Sequence, residues 1–174
     1  MSLKNLFGLV FKSTKLVDFK GLGRIYPCPM TYKIAIASDH GGFKLKEVLK
    51  ASFKDVPVEW LDLGTDSETS VDYPDFGFKL ADAIELGQAE FGVAICGSGV
   101  GISIAVNRNP AARCVLCSDE TAARLSRQHN DANVIAFGGR LIGEETARAC
   151  LKTFLTTGFD GGRHEARVNK LSAC

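Results

Sequence analysis

Phe91-Gly92-Val93-Ala94-Ile95-Cys96-Gly97-Ser98-Gly99-Val100-Gly101-Ile102-Ser103 is the stretch that decides the fold. Phe91 to Ile95 is an uninterrupted apolar run of the length of a buried parallel strand. The glycines after it form a loop that opens a helix and lets backbone N–H groups approach an anion. Gly97 and Gly99 satisfy the first two positions of a dinucleotide fingerprint, but Ile102 stands where close helix-to-strand packing requires Gly or Ala. A nucleotide is therefore not the expected ligand. Cys96 ends the strand beside the loop. A thiol in that positive field is activated as base or nucleophile, whereas most strand-end cysteines are small buried residues. The local sequence leaves both readings open.

Outward from this stretch, strand-like and helix-like runs alternate. Tyr32–Ser38, Val58–Leu63, Phe91–Cys96, Arg113–Cys117 and Asn133–Phe137 read as strands. Phe43–Phe53, Asp75–Leu86, Gly101–Asn107, Glu120–Gln128 and Glu144–Thr156 read as helices. Such alternation predicts an α/β domain, a parallel sheet with helices on both faces. Ligands bind such sheets beyond the carboxyl ends of the strands. There the sequence places Ser38-Asp39-His40-Gly41-Gly42, Cys96-Gly97-Ser98-Gly99 and Gly138-Gly139-Arg140. Of three histidines in the chain, His40 and His129 fall at element ends beside Asp or Asn, a setting that favours function over packing. The third, His164, lies in Gly161-Gly162-Arg163-His164-Glu165-Ala166-Arg167. A helix starting after those glycines would put Arg163 and Arg167 on one face as a phosphate clamp; a solvated basic end paired with Glu165 is the plainer alternative.

The chain has 174 residues and a net charge of +1. Residues 1–31 carry five cations against Asp18, +4, so the remainder is −3. A weakly acidic domain offers no global field for nucleic acid, and any anion must be caught locally. Residues 1–31 are read as an N-terminal extension, disordered or targeting, and 32–174 as the domain. The longest apolar run of the extension, Leu6 to Phe11, is too short to span a membrane or to act as a signal. A basic, acid-poor extension suits an organellar transit peptide; without that role the expected location is the cytoplasm, since six cysteines in an α/β chain of this size fit a reducing compartment. Cys114 and Cys117 form a CxxC, but within a strand they point to opposite faces, and no second ligand pair completes a zinc site. Both read as core residues.

Taken together, Ser38-Asp39-His40-Gly41-Gly42, Asp72-Tyr73-Pro74, Ile95 to Ser103, Ser126-Arg127-Gln128-His129-Asn130-Asp131 and Gly161-Gly162-Arg163-His164-x-x-Arg167 closely resemble the type B ribose-5-phosphate isomerase family, which also includes galactose-6-phosphate isomerase subunits. The resemblance runs from Tyr32 to the C-terminus. It implies a Rossmann-like three-layer αβα sandwich with a five-stranded parallel sheet, a homodimer or dimer of dimers, and no metal or organic cofactor. It implies an aldose–ketose isomerase acting on ribose 5-phosphate through an enediolate; a six-carbon sugar phosphate isomerase and a non-catalytic phosphosugar-binding module are the alternatives. Carried over, Cys96 is the base, His129 the ring-opening acid and Asp39 its assistant. Ser98 stands where the family commonly has threonine, and keeps the hydroxyl. Gly97, Ser98, Gly99, Val100 and Gly101 match the anion loop and Asn130 a substrate hydroxyl contact. Arg140, Arg163 and Arg167 match phosphate ligands, and Tyr73, His40 and His164 further contacts.

Overall fold

A computed structural model describes residues 31–171; the extension and its expected targeting or disordered character lie outside the described residues. Five strands alternate with helices: β1 (Tyr32–Ser38), α1 (Phe43–Ser52), β2 (Val58–Asp62), α2 (Tyr73–Glu85), β3 (Phe91–Cys96), α3 (Val100–Val106), β4 (Cys114–Leu116), α4 (Glu120–Asn130), β5 (Val134–Gly138) and α5 (Glu144–Thr156). A 3-10 turn, Gly162–His164, leads into α6 (Glu165–Leu171). Every paired strand is parallel, in the order β2-β1-β3-β5-β4.

Side-chain alternation along the strands builds two unequal layers. Ile34, Ile36, Val93, Ile95, Ile135 and Phe137 meet Leu45 and Leu49 of α1 and Leu151 and Phe154 of α5. On the other face Ala35, Ala37, Ala94, Cys96 and Ala136 meet Leu80 of α2 and Ile102 and Val106 of α3. Large residues line one face and small ones the other, so α2 and α3 sit close to the sheet. Gly92 and Gly77 mark that closeness: a Cβ at Gly92 would lie 2.7 Å from Leu80 Cδ2, and one at Gly77 2.8 Å from Ala105 Cβ. Cys114 packs in the second layer and Cys117 in the first, the opposite-face core placement expected of the CxxC. Burial pushes Cys117 up to about 12 and Cys150 up to about 11, and raises Cys114 further, so these three remain thiols.

Element ends differ from the sequence reading by one or two residues in seven of the ten elements, and three of these have a visible cause. Helix α2 starts at Tyr73 rather than Asp75, because Pro74 is compatible with a first helical turn. Strand β4 is shorter, since the Arg113 N–H is taken by Asn133 Oδ1 at 2.7 Å. The outer edge of β4 is closed by one side chain: Asn107 Nδ2 donates to the Cys114 carbonyl and its Oδ1 accepts the Cys114 N–H, both at 2.8 Å, in place of a sixth strand. Helix α4 continues to Asn130, until Asp131 turns left-handed with φ 45°.

The chain leaves β1 toward β2 on one side, and leaves β3 toward β4 on the other. The crevice between the ends of β1 and β3 is thus the switch point where ligands bind.

Candidate functional site

At this switch point the chain segments touch backbone to backbone. The Asp39 N–H donates to the Ile95 carbonyl at 3.2 Å, the Gly139 N–H to Cys96 at 2.8 Å and the Arg140 N–H to Gly97 at 3.1 Å. Glycine is what allows the approach: a Cβ at Gly41 would lie 2.9 Å from Gly97 N, and one at Gly139 2.7 Å from Gly41 O. The sequence reading found these glycines as motif letters; their role in closing three loops onto one another appears only in the packing.

Cys96, the last residue of β3, is buried, and its Sγ accepts a hydrogen bond from the Gly99 N–H at 3.1 Å. Gly99 has φ 79°, and a Cβ there would meet Leu116 Cδ1 at 2.5 Å and the Phe137 carbonyl carbon at 2.8 Å. Only glycine turns the loop so that its N–H faces the sulfur. Ser98 is exposed, with its Oγ accepting the Val100 N–H at 3.3 Å. Among the described residues the Gly97 and Ser98 N–H groups have no acceptor within the chain. Asp39 is buried and its Oδ1 accepts the Gly42 N–H at 3.0 Å. His40 Nδ1 lies 3.2 Å from both the N–H and the carbonyl oxygen of Val71, which fixes the ring against the segment leading into α2. Tyr73 lies over Gly101, where a Cβ would be 2.6 Å from its ring, and Arg140 lies over Gly97, with Nη1 3.4 Å from the Cβ position. Cys96, Ser98, Asp39, His40, Tyr73, Arg140 and the 97–101 loop therefore gather at one end of the sheet.

The remaining expected residues gather at the other end. Gly92 pairs with Val134 and Cys96 with Gly138, so Cys96 lies four strand steps, about 13 Å, beyond the start of β5. Helix α4 runs back from the end of β4 and delivers His129 and Asn130 just before that start. His129 stacks on His164, ring centroids 4.3 Å apart and planes within 5° of parallel. Arg163 Nε donates to His164 Nε2 at 3.4 Å. The His164 pKa is lowered, first by removal from water and then by His129, Arg163 and Arg167. The single helix expected to carry both arginines is corrected: Gly161 and Gly162 both have positive φ, so Arg163 sits in a 3-10 turn and α6 begins only at Glu165. Among the described residues Glu165 forms no ion pair with either arginine. Asn130 borders a cleft of about 340 Å³ lined also by Asn107, Arg113, Cys114 and Leu171, which contains none of the Cys96 loop. Among the described residues no three His, Cys, Asp or Glu side chains converge to hold a metal ion. No helix among them is long and apolar enough to cross a membrane.

The comparisons agree with this geometry. The family model described as Ribose/Galactose Isomerase matches residues 34–171. Ribose-5-phosphate isomerase B of Escherichia coli is 45% identical over 141 residues, 81% of this chain and 95% of that protein. A putative sugar phosphate isomerase of Bacillus subtilis is 43% identical over 80% of this chain and 95% of its own length. Among solved structures, a ribose 5-phosphate isomerase of Thermotoga maritima superposes with TM-score 0.78 at 50% identity, over 82% of this chain and 99% of that one. The type B enzyme of Trypanosoma brucei gives 0.79 at 40% identity, over 83% and 99%. With the strand order, the thiol loop and these likenesses in agreement, the chain belongs to the ribose/galactose isomerase family.

Proposed function

We propose that this protein interconverts ribose 5-phosphate and ribulose 5-phosphate by proton transfer through an enediolate. The observation that carries the reading is the Cys96 sulfur held on the Gly99 N–H at 3.1 Å, beside two loop N–H groups that have no acceptor among the described residues. The Cys96 thiolate removes the C2 proton, and the C–H electron pair forms the C1–C2 double bond of the enediolate as the C1 carbonyl π pair moves onto O1. The same sulfur returns the proton to C1, while a second proton moves between the two oxygens. The Gly97 and Ser98 N–H groups and the Ser98 hydroxyl face the oxygen where charge develops, each well-placed donor contributing about 3 kcal/mol. Most ribose 5-phosphate is a closed ring, so opening needs an acid at the ring oxygen and a base at the anomeric hydroxyl. His129 and Asp39 do this work.

One chain cannot bring His129 to Cys96, because the sheet register holds them at opposite ends. The working unit is therefore a dimer. One protomer supplies Cys96, Ser98, Asp39, His40, Tyr73 and Arg140, and its partner copy supplies the His129, Asn130, Arg163, His164 and Arg167 end. What supports this is the apolar rim around the thiol loop: Val100, Ile104, Leu116 and Leu141 are 48%, 52%, 43% and 76% exposed. That is a patch suited to a second copy. Anchoring the remote phosphate on the arginines holds C2 near the sulfur.

Ketose formation by the purified full-length chain from ribose 5-phosphate, without added metal, tests the reading. Accumulation of ribulose 5-phosphate with solvent deuterium entering at C1 is expected. Absence of turnover by a folded protein would overturn it.

A further inference from the structure

Arg127 was no more than a letter of the Ser126–Asp131 motif in the sequence, and its side chain is nine-tenths buried. Burying a guanidinium is costly unless its donors are met and its face is covered. Here Nη1 and Nε find protein acceptors and two rings lie against the group. The group lies against the edge-to-face pair of Phe91 and Phe154, 5.1 and 5.5 Å from their centroids, which are 5.8 Å from each other. Nη1 donates to Asp131 Oδ1 at 2.8 Å and to the Ala132 carbonyl, and Nε donates to the Thr157 carbonyl at 3.3 Å. These acceptors belong to two different segments. Asp131 and Ala132 directly follow His129 and Asn130; Thr157 follows α5 and precedes the double glycine and Arg163-His164.

Two further contacts reinforce the junction. Asp131 holds the left-handed turn that ends α4, the one non-glycine positive φ among the described residues, with Arg113 bonded to its other carboxylate oxygen at 3.0 Å and to its carbonyl at 2.8 Å. The Asp160 N–H donates to the Gln128 carbonyl at 3.0 Å. Immediately beyond, Gly161 and Gly162 turn the chain so that His164 returns over His129. Two adjacent glycines carry more conformational freedom than any other pair, so the return path needs an anchor on its near side.

We propose that Arg127 is a positioning residue, which ties the end of α4 to the chain before Gly161-Gly162 so that His129, His164 and Arg163 are held as one anion-binding unit. An apolar side chain would fill the space beside Phe91 and Phe154 at lower cost, but would leave the two segments untied. The inference rests on the isomerase reading for the purpose of that unit, not for its existence.

Arg127→Met and Arg127→Lys test it in the full-length chain. Lysine keeps the charge and the stem against the two rings but cannot reach Asp131 and Thr157 together, and it serves if the methionine variant unfolds. Three readouts are taken: the melting temperature, the histidine ring signals across a pH titration by NMR, and inhibition by sulfate alongside KM and kcat for ribose 5-phosphate. In the wild type removal from water lowers the His164 pKa first, then the nearby His129, Arg163 and Arg167, with Asp160 opposing them. The variants are expected to move His164 back toward ordinary titration, to weaken sulfate inhibition about tenfold or more, and to raise KM more than they lower kcat. A fall in melting temperature alone, with histidine titration and sulfate inhibition unchanged, would show that Arg127 is only a packing residue. If the wild type folds but does not isomerise ribose 5-phosphate, the isomerase reading fails, and the histidine titrations by NMR, run with and without sulfate, still decide the role of Arg127.

Discussion

The Cys96 sulfur and the Gly99 N–H are joined by a 3.1 Å hydrogen bond across a three-residue loop, so the thiol and the glycine turn form one unit. Replacing Cys96 with Ala should lower kcat by at least ~10²-fold, the lower range for loss of a general base, while leaving KM nearly unchanged. Burial holds Cys114, Cys117 and Cys150 as thiols. Among the described residues this leaves Cys96 as the thiol to react, so iodoacetamide inactivation should follow its labelling, and ribose 5-phosphate should slow it. Peptide mapping that finds inactivation without Cys96 modification would remove this residue from the mechanism.

Gly99→Ala should damage the loop without touching the thiol. The new Cβ would be placed at φ 79° and against Leu116 and Phe137, which costs about 1–3 kcal/mol of stability or moves the N–H off the sulfur. A lower melting temperature together with a loss of kcat is expected. Full activity in this variant would mean that the turn is not needed.

His129→Ala separates ring opening from isomerisation. The variant can use only the open aldehyde, so its rate from ribose 5-phosphate should stop rising as enzyme is added, limited by spontaneous opening. Consumption of ribulose 5-phosphate, which cannot close onto its esterified C5 oxygen, should stay proportional to enzyme. Proportional behaviour from both substrates would assign His129 to another step.

Mixing two inactive proteins tests the shared site. Cys96→Ala supplies an intact arginine end and Arg163→Ala an intact thiol end, so a mixed dimer contains one complete site. Activity should reappear after subunit exchange verified by mass spectrometry. No recovery would mean that thiol and clamp do not act from opposite chains.

Acid should loosen the β2 edge first. Lys46 is buried and its Nζ lies 2.7 Å from both Asp62 and Glu47, with Lys50 paired to the same two carboxylates. Burial pushes the Asp62 carboxyl up, but the hydrogen bonds from Lys46 and Lys50 more than offset it, so its pKa lies below the usual carboxylate range. Glu47 is lowered by the same two lysines. A lowered carboxylate contributes stability that is complete above about pH 4 and disappears as pH falls through the folded-state value. Asp62→Asn should therefore lower stability at pH 7 by about 1–3 kcal/mol and flatten the acid limb of a plot of denaturation midpoint against pH. An unchanged acid limb would place the acid sensitivity elsewhere.

The order of strands and helices was legible in the chain because each announces itself locally: apolar runs of five or six residues at Phe91 and Val134, amphipathic stretches between them, and glycines where strands end. The residue types of the site were legible too, since Cys96 ends a strand of a parallel sheet and Asp39 and Arg140 follow two others. That residues of two copies complete each site is what the family resemblance implies, but which residues share each end of the sheet was not legible. That depends on the register of β3 against β5 and on α4 running back beneath them, relations between segments distant in sequence. The His129–His164 stack and the Arg127 anchor escaped the sequence for the same reason. Local periodicity constrains which face a residue occupies, but only long-range packing decides which other residue meets it there.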